Sequence, residues 1–247
     1  MVFVAHTVTL EAVPRAWFTR LLAVVHDTAS ATRAEGPTVR FAGGEPVPDV
    51  LLTHGRHLRP GAQYGLTEDG ATARLTVRQW DREGAVRLGY ADGGGALGLD
   101  LELRSVAAPA EARLRIRARA GGVRITGDAV LDLTGWWKAA AGGDVARAPL
   151  RATVRHRFAV LIVRVVPQTT DSGAWELSCG ITLRGRGPLR PLVSAALALA
   201  RTRVAGAAAT TAKRLAFRWN LVVPVAVAQD PKAVVERVIP AGHLGTG

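Results

Sequence analysis

Apolar and polar residues alternate along several stretches of the chain, as in β-strands with one packed face and one wet face. At the N-terminus, Val2, Val4, His6, Val8 and Leu10 fall on the same side of such a strand. The same alternation, interrupted by Gly-rich turns, predicts six strands between residues 62 and 133. Short strands joined by tight turns indicate an antiparallel meander. The predicted strands are 62–67, 72–81, 86–91, 96–105, 112–119 and 122–133.

Helical spacing of apolar residues appears at the two ends of this meander. Trp17 to Val25, following Pro14, predict a short amphipathic helix directly after the first strand. Residues 28–60 are rich in Gly and Pro and predict a loop-rich connection with a brief strand near 39–42.

The C-terminal half continues the pattern. A long strand is expected at 150–166 and another from Trp175, followed by an Ala/Leu-rich helix from 189 to about 220. The buried stripe expected on this helix includes Leu189, Leu192, Val193, Ala196, Leu199 and Ala200.

These elements predict an α+β fold: a strongly curved antiparallel sheet or barrel wrapped on a long C-terminal helix and enlarged by extra strands. One helix across a bent sheet leaves an apolar cavity, a usual place for a small-molecule site. We predict a single pocket domain over residues 1–220 and a C-terminal extension over 221–247. Residues 221–227 are expected to add an edge strand to the sheet.

The formal charge of +12 raises the question of a polyanionic partner. Arginine supplies 29 of the 32 basic residues, and these arginines are scattered instead of forming basic runs. The scatter favours solvated faces, and we predict no nucleic-acid partner. An arginine-rich surface on Arg113–Arg119 and the C-terminal helix, binding nucleic acid or an acidic membrane, is the alternative.

Several classes of chemistry are disfavoured by what the sequence lacks. Cys179 is the single cysteine, so no internal disulfide and no Cys-x-x-Cys metal site can form, which fits a reducing compartment. P-loop, His-Glu-x-x-His and Gly-x-Ser-x-Gly motifs are absent from the sequence. No secretory signal and no apolar run long enough to span a bilayer is recognised. The sequence therefore predicts a cytoplasmic protein without metal, cofactor or stable membrane insertion.

Four polar side chains fall on apolar faces of predicted strands. His6 lies among Val residues, and His156 lies in register with Val154 and Phe158. A histidine there can act as a general acid or base near neutral pH, and one satisfied by a backbone hydrogen bond is the plainer alternative. Tyr64 and Tyr90 have hydroxyls available to orient a carbonyl or enol. The predicted catalytic residues are His156, His6, Tyr64 and Tyr90.

Large aromatic residues are the predicted walls of the cavity, because indole rings suit polycyclic or polyene ligands. Ordinary core packing is the alternative for each of them. Arg78, expected on the same face as Trp80, is a candidate partner for a carboxylate, and Cys179 lies on an apolar face as a small hydrophobe. The predicted substrate-binding residues are Trp80, Trp137, Trp175, Arg78 and Cys179.

The order strand, helix, meander and long closing helix resembles the START-like or SRPBCC helix-grip superfamily, which includes lipid-transfer domains and polyketide cyclases. The local resemblance lies in Leu58-Arg-Pro-Gly-Ala62, Val77-Arg-Gln-Trp-Asp81 and the segment from Leu183 to Pro191. Residues 121–170 add strand-like sequence beyond the simple pattern. The resemblance implies a hydrophobic cavity for a lipid, polyketide or similar ligand, and carries no catalytic residue over to this chain.

The function expected from the sequence is that of a cofactor-free pocket enzyme. A cyclase or dehydratase acting on a polyketide-like or other hydrophobic natural-product intermediate fits best, with confinement and one or two acid/base groups doing the chemistry. The alternative is a non-catalytic carrier of lipids or other hydrophobic ligands. Its partner in either case is a hydrophobic small molecule.

Overall fold

The computed structural model describes residues 1–68, 70–187, 196 and 199–241 as thirteen antiparallel strands and four helices. The strand order is β1-β13-β12-β11-β10-β9-β8-β7-β6-β5-β4-β3-β2, so the sheet is open over the described residues, and the barrel alternative is wrong. The helices are α1 Arg15–Ser30, α2 Leu133–Ala140, α3 Arg201–Val227 and α4 Pro231–Ala241. The strands are β1 Val2–Leu10, β2 Arg33–Glu35, β3 Thr38–Arg40, β4 Pro46–His54, β5 Gln63–Glu68, β6 Ala71–Trp80, β7 Ala85–Asp92, β8 Leu97–Arg104, β9 Glu111–Ala120, β10 Val123–Asp132, β11 Leu150–Arg155, β12 Ala159–Thr169 and β13 Trp175–Gly185.

The predicted meander is confirmed, because β5 to β10 coincide with the six expected strands to within two residues at each end. The turn between β9 and β10 shows why the sequence is informative there. Gly121 and Gly122 have φ of 55° and 76° and join strands whose pairing begins at Ala120 and Val123. A two-residue hairpin turn with both φ positive favours glycine, so the Gly-Gly pair fixes the strand register.

Two expected segments differ in the structure. Residues 28–60 are not a loop-rich connection, since they contain the C-terminal end of α1 and the strands β2, β3 and β4. The expected strand 150–166 is two strands, because the chain turns at 156–158 and the His156 N–H donates to the Ala159 carbonyl at 2.9 Å. Apolar alternation on both sides of so tight a turn looks like one continuous strand in the sequence.

The C-terminal helix also differs from the expectation. Residues 221–227 do not form an edge strand, since α3 continues to Val227 through Pro224. Leu199 is 91% exposed and Ala196 is exposed, so these two do not form a buried stripe; Leu189, Leu192 and Val193 lie outside the described residues. The more buried side of α3 is instead formed by small residues, including Ala205, Ala208, Ala209, Ala212 and Ala216.

Hydrogen bonds fix α3 to the end of β1. The Asn220 amide accepts from the Glu11 N–H at 2.9 Å and donates to the Thr9 carbonyl at 3.0 Å. The Trp219 indole donates to the Glu11 carbonyl at 2.9 Å. These bonds decide which side of α3 is buried, and they explain why apolar spacing alone gave the wrong stripe.

The chain divides into two compact units. Unit 1 comprises Met1–Val13 and Glu111–Val225, and unit 2 comprises Pro14–Ala110 and Ala226–Gly247. In unit 1, α2 packs on β12, and Trp136 meets Trp175 edge to face with ring centroids 5.5 Å apart. The Asp132 carboxylate accepts from the Gly135 N–H at 2.8 Å and so caps the N-terminus of α2.

In unit 2, the core comprises Val39, Ala62, Tyr64 and Val77 and the apolar residues around them. The two helices of this unit pack on each other. The Trp17 indole of α1 donates to the Gln229 carbonyl at 2.9 Å, and Arg20 forms an ion pair with Asp230 at 2.8 Å. The part of the chain that the structure describes contains no helix long and apolar enough to cross a membrane.

Candidate functional site

One face of the sheet in unit 1 is apolar and only half covered. We call it the apolar face. Strand pairing places one row of small and aliphatic side chains across it from β1 to β9, and a second row lies beside the first. The first row is Val4, Ile181, Val163, Ala152, Ala129 and Leu114, and the second is Val2, Leu183, Leu161, Val154, Gly127 and Ile116. Apart from Val2 and Gly127, all of these residues are half-buried.

The middle of the apolar face is formed by small residues, and we call this part of it the hollow. Ala129, Gly127 and Ala152 on β10 and β11 are flanked by larger aliphatic side chains on β9 and β12. A Cβ added at Gly127 would lie 3.7 Å from both Ile116 and Val154, in ordinary van der Waals contact. The hollow is therefore lined by hydrocarbon.

His6 and Cys179 pair with each other on β1 and β13, on the apolar face. Three strand spacings, about 14 Å, separate β1 from the small residues of β11. The Nε2 atom of His6 is buried and has no hydrogen-bond partner among the described residues. The plainer alternative, a ring satisfied by the backbone, therefore does not hold for Nε2. Burial raises the pKa of the Cys179 thiol, which is 3.8 Å from the Leu177 carbonyl, so Cys179 behaves as a protonated small hydrophobe.

Two of the tryptophans predicted to line the cavity, Trp175 and Trp137, belong to unit 1. Trp175 is the first residue of β13, and Trp137 lies beside Val13, just after β1. Trp175 is 6% exposed and packs against Trp136, which the sequence analysis did not select. Trp137, the next residue, is half-buried, and its indole is 3.4 Å from the Val13 carbonyl. Trp175 is thus part of a packed core that closes one end of the apolar face.

His156 lies in the β11–β12 hairpin and not within a strand. Its Nδ1 accepts from the Phe158 N–H at 3.3 Å, and its ring meets the Phe158 ring with centroids 5.7 Å apart. This geometry stabilises the hairpin turn. His156 and His6 therefore occupy different parts of unit 1, with His6 in mid-strand and His156 beyond the end of β11.

Unit 2 contains a chain of hydrogen bonds around Tyr64, which is 3% exposed. The Thr32 hydroxyl donates its one proton to the Ala29 carbonyl at 2.6 Å, so its oxygen accepts from Nε2 of His57 at 2.9 Å. Nδ1 of neutral His57 then accepts from the Tyr64 hydroxyl at 2.9 Å. The Tyr64 oxygen in turn accepts from the Leu58 N–H at 2.8 Å.

Burial lowers the pKa of His57, partly offset by its hydrogen bond with Thr32, and burial raises the pKa of Tyr64 against the opposing effect of the Leu58 N–H. Both side chains are therefore neutral near neutral pH. The Tyr64 hydroxyl is already used within the protein, where it holds the turn before β5. Leu58 in this turn has φ of 53°, so the network also stabilises a strained backbone position.

Trp80 and Tyr90 share the face of unit 2 that bears Tyr64, because Leu75 pairs with both tyrosines and Trp80 pairs with Val86. Tyr90 is half-buried. Trp80 stacks on His26 of α1 with centroids 4.8 Å apart, and its indole donates to the Ser30 hydroxyl at 2.9 Å. Trp80 thus joins α1 to the sheet.

Arg78 does not share the face of Trp80. A β-bulge between Val77 and Gln79 shifts the strand register by one residue, so the parity counted along the sequence fails there. Arg78 lies on the opposite face, where its guanidinium is 2.6 Å from Asp100. The expected pairing of Arg78 with a ligand carboxylate is replaced by this internal ion pair.

Two cavities lie on unit 1. One, of about 480 Å³, runs along β1 and β13 and is lined by Phe3, Ala5, His6, Thr7, Ser178, Cys179 and Gly180. Strand alternation points the His6 and Cys179 side chains away from it, so it belongs to the face of Phe3 and Thr7. The other, of about 460 Å³, is lined by residues that include Val160, Ile162, Arg155, Arg184 and Arg186.

Two histidines of structural importance, His57 and His26, escaped the sequence analysis. His57 and His26 lie in or beside segments without strand alternation, and their partners are distant in sequence.

Within the described ranges, no group of three His, Cys, Asp or Glu side chains is arranged to hold a metal ion. Comparison with protein-family models, curated proteins and solved structures gives no match to this chain. The helix-grip resemblance therefore stays a prediction.

Proposed function

We propose that this protein binds a hydrophobic small molecule on the apolar face of unit 1. The observation that supports this is a half-buried apolar face that also carries, three strands from its small residues, a buried and unpartnered Nε2 of His6. A buried polar atom without a partner costs about 1–3 kcal/mol, which a ligand hydroxyl or carbonyl placed there would recover. The proposed ligand therefore has an apolar body and one hydrogen-bonding group near one end.

A lipid or polyketide fits this description, as the helix-grip resemblance also implies. The residues assigned to binding are Ala129, Ala152 and Gly127 in the hollow, with Cys179 and His6 on the same face, on the far side of β12. Trp175 acts only as the packed end of the face. Tyr64, Tyr90, Trp80 and Arg78 belong to unit 2 and are not assigned to this site.

Catalysis is the second candidate, and His6 is the observation that favours it. A cyclase or dehydratase of this kind would use the His6 imidazole to take a proton from the bound intermediate and return it to the departing hydroxyl. Tyr64 is withdrawn from this role because its hydroxyl is saturated by His57 and Leu58. A single acid/base group leaves confinement of the substrate as the larger contribution.

Binding is tested with pyrene, a neutral probe that avoids attraction to the cationic surface. Ala129→Leu places additional carbon atoms in the hollow and is expected to weaken pyrene binding at least about tenfold. Val130→Leu is the matched control, because Val130 lies on the opposite face of β10 and should leave binding unchanged. Equal affinities of the wild type and Ala129→Leu would remove the proposed site.

The role of His6 is tested by comparing pyrene with 1-pyrenebutanol, whose alkyl chain can extend across the strands from the small residues toward β1. The wild type should prefer the alcohol by about two- to tenfold, the usual net value of one hydrogen bond. His6→Leu should bind pyrene normally and lose the preference for the alcohol. Native mass spectrometry of protein from its source then separates carrier from enzyme, because a carrier retains its ligand unchanged.

A further inference from the structure

We propose that α3 docks this protein on an anionic lipid surface, with the helix lying in the plane of the interface. The proposal does not depend on the ligand site of unit 1. It rests on three observations. The outward face of α3 is both apolar and basic, its orientation is fixed by hydrogen bonds, and the sequence between Glu176 and Asp230 carries positive charge without acidic residues.

The outward face carries large apolar side chains in solvent. Leu215, Phe217, Leu221 and Val222 are 64%, 71%, 63% and 61% exposed. Phe217 and Leu221 are one helical turn apart, and Leu215 and Val222 are two turns apart, so they form two stripes with Arg214 and Arg218 between them. Single exposed apolar residues are ordinary, but four on two turns of one helix mark an interaction surface.

The orientation of this face is set by contacts on the other side of the helix. Ala216 is 9% exposed and Trp219 is half-buried, and Trp219 and Asn220 bond to Thr9 and Glu11 at the end of β1. A rotation of α3 that buried Phe217 would break these hydrogen bonds. The apolar stripes are therefore held outward in the folded protein.

Basic residues accompany the apolar stripes. Arg214 precedes Phe217 by three positions, and Arg218 lies between Leu215 and Val222 on the same side of the helix. Arg201, Arg203 and Lys213 add to the charge, and all five basic side chains are exposed. No acidic residue occurs between Glu176 and Asp230. An arginine can extend its head to lipid phosphates while its stem packs beside the acyl region.

The combination of exposed apolar and basic side chains on α3 indicates which kind of partner binds this face. A second copy of the same helix would bring like charges together across the contact, which disfavours self-association through this face. A nucleic acid would be attracted by the arginines but would leave Phe217, Leu221, Leu215 and Val222 in water. An anionic bilayer satisfies both features, because its headgroups pair with the basic residues and its acyl boundary takes the apolar stripes.

Co-sedimentation of the full chain with vesicles tests the proposal. Vesicles of phosphatidylcholine with phosphatidylserine should bind the wild type at low salt, and vesicles of phosphatidylcholine alone should bind it at least about tenfold more weakly. Phe217→Ser/Leu221→Ser should lose binding to the anionic vesicles by at least about tenfold. The control, Leu51→Ser/Leu101→Ser, removes two exposed leucines outside α3 and should bind like the wild type.

Charge is tested in the same assay. Arg214→Gln/Arg218→Gln should weaken binding to the anionic vesicles by roughly 25-fold, at about fivefold for each basic residue near the surface. The same charge change in Arg184→Gln/Arg186→Gln, at two positions outside α3, should weaken it by less than about threefold. All of these positions are exposed, and circular dichroism should show an unchanged fold.

Three results would overturn the proposal. They are failure of the wild type to sediment with anionic vesicles, wild-type binding by Phe217→Ser/Leu221→Ser, and equal losses in the two arginine pairs. Tight binding of a single-stranded oligonucleotide that survives Phe217→Ser/Leu221→Ser, without vesicle binding, would assign the face to nucleic acid instead. Failure of the pyrene tests would leave the vesicle result unaffected, because the two sites share no residue.

Discussion

Tyr64 shows at the scale of single residues how a buried polar group is satisfied. The phenol is 3% exposed, yet its oxygen has both a donor, the Leu58 N–H, and an acceptor, Nδ1 of His57. The proton positions follow from the single hydroxyl proton of Thr32, which is committed to Ala29. The network therefore fixes the neutral tautomer of His57 and ties the end of α1 to β5.

Tyr64→Phe should lower the free energy of unfolding by about 1–3 kcal/mol, because it leaves the Leu58 N–H and Nδ1 of His57 without partners in a buried site. Tyr90→Phe is the control, since Tyr90 is half-buried and lies on the same face. Urea unfolding followed by circular dichroism measures both variants. Equal midpoints for the two variants would show that the Tyr64 network is not stabilising.

The lowered pKa of His57 predicts a pH dependence of stability. Between the folded pKa and the ordinary value of 6.5, the unfolded chain binds the proton and the folded chain does not. Stability from this site is therefore present above pH 6.5, falls as the pH drops below 6.5, and levels off below the folded pKa. Protonation would also make Nδ1 a donor and leave the Tyr64 proton without its acceptor.

Urea midpoints measured from pH 7.5 to pH 5 test this dependence. His57→Gln should be less stable than the wild type at pH 7.5 and should show a shallower loss between pH 6.5 and pH 5. A wild type whose stability increases over that interval, with His57→Gln flat, would give His57 the opposite sign of pKa shift.

At the scale of elements, α2 is the helix that completes the core of unit 1. Its eight residues begin directly after β10, and Asp132 serves both as the last residue of that strand and as the N-cap. The cap aligns the helix so that Trp136 reaches Trp175. The sequence gives no clear helical pattern here, because eight residues contain too few periods.

Asp132→Ala should destabilise the protein by about 1 kcal/mol through loss of the hydrogen bond to the Gly135 N–H. Asp132→Asn retains an oxygen that caps equally well and should stay within a few tenths of a kcal/mol of the wild type. Thermal unfolding followed by near-ultraviolet circular dichroism reports on the tryptophan pair. A comparable loss in both variants would attribute the effect to charge instead of capping.

Strand pairing also creates a repulsive contact. Arg119 on β9 lies directly opposite Arg124 on β10, and both are exposed. Arg124→Glu turns this like-charge pair into an attractive one and should stabilise the protein by about 0.2–1 kcal/mol. Arg56→Glu is the matched control, because it makes the same charge change in an exposed segment before β5. A stabilisation of the same size in Arg56→Glu would show that net charge matters and the cross-strand pair does not.

At the scale of the whole molecule, each unit is assembled from separate segments of the chain. The first thirteen residues belong to unit 1 together with residues 111–225, since β1 pairs with β13. Residues 226–247 belong to unit 2, where α4 packs on α1. Each unit thus combines a terminal segment of the chain with a segment from its interior. No local pattern in the sequence indicates this arrangement.

The net charge of +12 acts on the same scale through self-repulsion. We expect the thermal midpoint of the wild type to rise with sodium chloride up to about 0.3 M, as the repulsion is screened. Arg124→Glu should show a smaller rise, because it starts with less repulsion. A midpoint that falls with added salt over this range would mean that attractive ion pairs, such as Asp128 with Arg115 and Arg155, dominate instead.

The sequence was most informative where the two-residue period of a strand is bounded by residues typical of tight turns. The strands from β5 to β10 follow a period of two and are separated by Gly-rich turns, so both their existence and their ends were predicted. It was least informative where a tertiary contact changes the parity or the partner. The bulge before Gln79 moved Arg78 to the other face, and the hairpin at His156 divided an apparently continuous strand. His6 and Cys179 were found because their strands are regular and fully paired.

By itself, the sequence determined that the chain forms an antiparallel meander and that His6, Tyr64 and Cys179 lie on apolar faces, because local alternation is a property of the strand backbone. The tertiary structure decided which of these polar atoms are satisfied. Tyr64 meets His57 and Thr32 through contacts between separate segments, whereas Nε2 of His6 meets no partner among the described residues. It also decided that alanine, not leucine, forms the more buried side of α3, because hydrogen bonds at Trp219 and Asn220 set the rotation of the helix.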